Sequence, residues 1–84
     1  MRLESEAPKN EIEFEIEKIL IKNGFRPEDI QFGSTNYNNP YLRVGYWRRL
    51  DCVALQELGK LITAEVDDFD EDCGYLYSYN IKKI

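Results

Sequence analysis

Glu11-Ile12-Glu13-Phe14-Glu15-Ile16-Glu17-Lys18-Ile19-Leu20-Ile21-Lys22-Asn23-Gly24 is the stretch on which the fold turns, because its two halves point to different structures. The first seven residues alternate strictly between charged and apolar, the mark of a half-buried strand. The rest reads as the end of a helix closed by a glycine just past its last turn. Three features decide for helix throughout. Asn10 with Glu13 makes a capping-box pattern, so the unpaired amides of a first turn have an acceptor. The glutamates come early and the lysines late, as the helix macrodipole prefers. Glu and Ile-Leu-Lys runs are also compatible with helix. The sequence predicts a helix over residues 10–23.

At about 100° per residue, Ile12, Ile16, Ile19 and Leu20 of that helix form one stripe, and Phe14 and Ile21 point nearly the other way. The plain reading tucks Phe14 and Ile21 against a neighbouring segment. The sharper one makes them a second apolar face through which two copies pair as a homodimer.

Upstream, Met1 to Pro8 mixes charge with small residues and has no period. It is read as a flexible N-terminal arm (1–8) leading a single domain (9–84). Downstream, Phe25-Arg26-Pro27-Glu28-Asp29 is a turn, since proline and the residue before it resist helix. Ile30 to Thr35 alternates as a short strand, and Asn36-Tyr37-Asn38-Asn39-Pro40 is a connection rich in turn formers. Tyr41 to Leu50 is the best strand in the chain by its aromatic and branched content. Asp51 then caps a second helix in which Ala54, Leu55, Leu58, Leu61 and Ile62 share a face, weakened by Gly59 by about 1 kcal/mol relative to alanine. Residues 64–69 read either as an edge strand or as loop, followed by a last strand, Tyr75–Ile81. With the hairpin reading, helix–strand–strand is written twice. The expected fold class is α+β: two helices on one face of a three- or four-stranded, mainly antiparallel sheet, in the order α-β-β-α-β-β.

A chain of 84 residues makes one thin core, and eleven aromatic side chains (six Tyr, four Phe, one Trp) supply much of its burial. Met1-Arg2-Leu3-Glu4-Ser5-Glu6 has no apolar h-region, and the longest apolar run is Cys52-Val53-Ala54-Leu55. Neither a secretory signal nor a membrane span is expected from them, and the expected location is cytoplasmic. Cys52 and Cys73 have no metal-ligand spacing and are read as reduced and partly buried. There is no histidine. That removes Ser-His-Asp and Cys-His catalysis and any Cys/His zinc site. Paired carboxylates remain, but acid–base work would need buried ones, and nearly all of these lie in polar runs. An enzyme is not expected, and no cofactor is implied.

Net charge is −5 and unevenly spread. Residues 1–24 carry four basic and six acidic side chains, residues 25–50 four and two, and residues 51–84 three and eight. Two constellations stand out. Asp67-Asp68-Phe69-Asp70-Glu71-Asp72 starts like a calcium loop at Asp68, Asp70 and Asp72, but Cys73 stands where the loop needs glycine and Tyr79 where it needs glutamate. Metal is therefore not expected. The acidic run is either a solvated loop or a patch facing a partner with a basic surface, with Phe69 as an apolar anchor. In the strand 41–50, Tyr41, Arg43, Trp47 and Arg49 alternate onto one face, away from Leu42, Val44, Tyr46 and Leu50. They form an open face with no binding role, a protein hot spot or a single-strand nucleic-acid platform. The leading expectation is a non-enzymatic adaptor or inhibitor docking on a basic protein surface, in a specific version by standing in for nucleic-acid charge. The competing one is a single-stranded nucleic-acid binder.

Overall fold

The first helix starts where its cap predicts. In the computed structural model, which describes residues 3–45 and 48–82, the Asn10 side chain accepts from the Glu13 N–H at 2.9 Å and α1 runs Glu11–Lys22. Its other end closes through Gly24, at φ +92°: the Phe25 N–H donates to Leu20 O and the Gly24 N–H to Ile21 O. A side chain at Gly24 would strain this left-handed backbone. The closure buries Phe25 beside Leu20 in the core.

The remaining regular elements are β1 (Ile30–Ser34), β2 (Pro40–Val44), α2 (Cys52–Leu58), β3 (Ile62–Asp70) and β4 (Gly74–Ile81). The strands form one antiparallel sheet in the order β1-β2-β4-β3. The α-β-β-α-β-β order and the α+β class are as read from the sequence. That strand order is what a local two-fold axis between β2 and β4 would generate, each αββ unit contributing its second strand to the centre.

Alternation sets one sheet face toward the helices. Ile30, Phe32, Leu42, Val44, Tyr77, Tyr79 and Ile62 meet Ile16, Leu20, Ala54 and Leu58 in one buried cluster. Ile12 and Ile19 pack against its margin, and Phe14 and Ile21 stay outward, 58% and 45% exposed. Gln31, Tyr41, Arg43, Leu76, Ser78, Thr63 and Glu65 fall on the opposite face by register.

Several expected boundaries move. The strand expected over 41–50 ends at Val44. The Gly45 N–H turns to Asp29 O, and Gly74 crosses so closely that a Cβ there would lie 2.2 Å from Val44 O and 2.7 Å from Gly45 Cα. Arg48, Arg49 and Leu50 lie outside the sheet, and Tyr46 and Trp47 of the expected strand lie outside the described residues. α2 ends at Leu58 with Gly59 as its C-cap, so Leu61 and Ile62 do not share its face; Ile62 opens β3, and Leu55 is exposed. The 64–69 segment is strand, and longer than expected. The stretch read as a flexible arm carries a 3-10 turn (Glu4–Glu6) lying against β1, and Pro8 is buried. Both cysteines are exposed thiols, not partly buried ones.

Candidate functional site

The acidic residues collect on the β3–β4 hairpin, at the end of the sheet away from the β1–β2 connection. Asp67, Asp68, Asp70, Glu71 and Asp72 are all exposed. Their local bonds shape the turn: Asp72 N–H donates to Asp70 Oδ1 (2.9 Å), Phe69 N–H to Asp68 Oδ1 (2.8 Å), and the Ser78 hydroxyl to Asp67 Oδ2. Among the described residues, the ion pairs lie on α1, Glu57 and the 26–29 turn, and none reaches this hairpin. Like charges this dense on a hairpin repel one another.

A β-bulge between Val66 and Asp68 gives the hairpin a second character. In strict alternation Phe69 would join the solvent face. The extra residue, Asp67, returns Phe69 to the helix side, opposite Tyr75, with ring centroids 4.5 Å apart. The helices do not reach that far, so Val66 and Phe69 stay 46% and 39% exposed. The hairpin thus pairs an apolar side with an acidic one. Sequence reading found both ingredients and missed the bulge that separates them.

The second expected face does not assemble as one strand. Tyr41 and Arg43 do lie on the open face, where the Tyr41 ring covers Gly33 so tightly that a Cβ there would sit 2.4 Å from it. Arg49 is exposed in the loop before α2, and Trp47 lies outside the described residues. Arg48, by contrast, lies over an aromatic ring. Its guanidinium is 4.4 Å from the Phe25 centroid and donates to Gly24 O at 2.9 Å, pinning the end of α1.

At the opposite end of the sheet a cleft of about 430 Å³ opens between the start of α1, the β1–β2 connection and the end of β4. Glu13 lines it and is only 6% exposed, against the expectation of solvated carboxylates. Its Oε1 accepts from Lys9 N–H at 2.9 Å and its Oε2 from the Tyr79 hydroxyl at 2.8 Å. Burial first, then the hydrogen bond to the Glu13 carboxylate, pushes the Tyr79 phenol well above its ordinary value. The helix N-terminus also offsets the carboxylate's charge. With both oxygens engaged, Glu13 is a joint between the first helix and the last strand. The capping pattern places a side-chain acceptor at position 13, but no local signal pairs it with Tyr79.

Asp29 is the other buried carboxylate, held by Arg26 Nε at 3.2 Å. Among the described residues no three Cys, Asp or Glu side chains converge as a metal site, and no helix is long and apolar enough to cross a membrane. No protein-family model matches this chain, and no curated protein or solved structure matches it either.

Proposed function

We infer that this protein is a non-enzymatic interaction module that docks its acidic β3–β4 hairpin on a basic surface of a larger protein. The observation carrying this reading is the combination on one hairpin: five exposed carboxylates without ion-pair partners among the described residues, beside the part-exposed apolar side chains of Val66 and Phe69. Carboxylates steer a basic partner and relieve their mutual repulsion on binding; an aromatic in their midst supplies apolar contact. In a finer version, the spaced carboxylates occupy a surface that otherwise takes phosphates.

The test starts by capturing partners from native cells and identifying them by mass. Dissociation constants are then measured at 50 mM and 500 mM salt, values chosen to bracket the screening range in which the Debye length falls below about 10 Å. Binding should weaken by orders of magnitude with salt and vanish when Asp67, Asp68, Asp70, Glu71 and Asp72 are neutralised together. Tyr41→Ala and Arg43→Ala should leave it unchanged. An oligonucleotide displacing the module would support the phosphate-mimic version. Salt-independent binding, or binding lost only on Tyr41→Ala and Arg43→Ala, would refute the docking surface named here.

A further inference from the structure

The acidic hairpin belongs to a strand that, among the described residues, has a neighbour on one side alone, β4. β3 is an outer strand, so one row of its amides and carbonyls has no partner strand. Its two sides differ. On the helix side, a groove of about 280 Å³ runs between α2 and β3, walled by Leu55, Leu58, Ile62 and Ala64. Val66 and Phe69 continue that wall toward the hairpin tip. On the open side the same strand presents Thr63, Glu65 and, across the bulge, Asp67 and Asp68. Lys82 stands at the groove's other end, its ammonium held by Gly59 O.

We propose that the β3 edge receives an extended segment of the partner protein in which apolar and basic residues alternate. The proposal rests on the docking reading above and names the partner's chemistry. An added strand sends successive side chains to opposite faces. Its apolar residues would lie along Leu55, Ala64 and Val66, and its lysines or arginines against Glu65, Asp67 and Asp68. The basic positions fall toward the hairpin half, because Lys82 occupies the other. A second copy of this chain is a poor occupant: antiparallel pairing of two β3 edges sets carboxylates against carboxylates. The acidic edge therefore repels its own kind and admits its opposite.

The probe is a capped octapeptide of alternating lysine and valine, followed by amide chemical shifts and hydrogen exchange of the full chain. The expected result is saturable binding with shifts and slowed exchange concentrated at residues 62–68. Methylating alternate peptide nitrogens removes two or more backbone donors and should weaken binding at least about tenfold. Leu55→Gln, on an exposed wall residue, and Glu65→Gln with Asp68→Asn should each weaken it several-fold. Equal affinity for the methylated peptide overturns strand addition and leaves the salt-dependent docking intact. Equal affinity for a serine-for-lysine peptide overturns charge selection, and the docking reading with it. No binding at millimolar peptide overturns the proposal alone.

Discussion

Removing one oxygen atom from Tyr79 tests how much the joint between α1 and β4 contributes. The Tyr79 hydroxyl donates to Glu13 Oε2 at 2.8 Å, and the two residues are 3% and 6% exposed. Tyr79→Phe keeps the ring volume and leaves a buried carboxylate oxygen short of a donor. A hydrogen bond to a charged group contributes about 1.5–3 kcal/mol, little of it screened at this burial. For a domain of this size that lowers Tm by on the order of 10 °C. The assay is urea unfolding followed by circular dichroism, run as a cycle with Glu13→Ala and the double variant. The coupling between the two positions should exceed about 1 kcal/mol, since each substitution removes the same bond. A Tyr79→Phe cost below about 0.5 kcal/mol, or a coupling near zero, would show that the hydroxyl and carboxylate are not held together in solution.

Stability should fall above about pH 10. Burial raises both the Tyr77 and Tyr79 phenols, so the unfolded chain loses these protons first and the contribution disappears as pH climbs through the folded values; Tyr79→Phe should flatten that decline in an alkaline unfolding series. Gly74→Ala should cost more than about 2 kcal/mol in urea unfolding, because φ is +90° and the new methyl would clash with Val44 O at 2.2 Å and Gly45 Cα at 2.7 Å. Gly33→Ala should cost much less, since the Tyr41 ring that it meets is a half-exposed side chain free to swing away. Native protein should react with a thiol reagent at both Cys52 and Cys73 without prior unfolding; protection of either would contradict their exposure.

The elements that announce themselves in sequence do so through local chemistry. Asn10, Glu13 and Gly24 specify α1 because capping is a short-range hydrogen-bond problem, and it outweighs the strand-like alternation of residues 11–17. Asp51 caps α2 for the same reason, donating nothing and accepting from Ala54 N–H at 2.8 Å. What stayed hidden depends on distant partners. The end of β2 at Val44 is set by Gly74, thirty residues on, and propensity alone carries Tyr41–Leu50 forward as strand. Glu13 is buried because Tyr79 reaches it from the last strand, and no periodicity reveals such a pair. Of the binding surfaces, the acidic run was visible as composition. Its division into an apolar and an acidic side was not, because a single inserted residue at the bulge changes which face Phe69 joins.

The strand order also has a consequence in time. β4 is the last of the four strands in sequence yet lies between β2 and β3. As the chain emerges during synthesis, α1, β1 and β2 must wait with the inner side of β2 unpaired, and β3 has no neighbour at all. Only when residues 74–81 arrive do both open edges close together and Tyr79 reach Glu13. Closing the sheet thus waits for a step that adds the long-range β2–β4 pairing to the local β3–β4 hairpin, and such pairing is slow and leaves unpaired strand edges exposed meanwhile. The carboxylates on β3 would keep that waiting strand from joining the wrong neighbour.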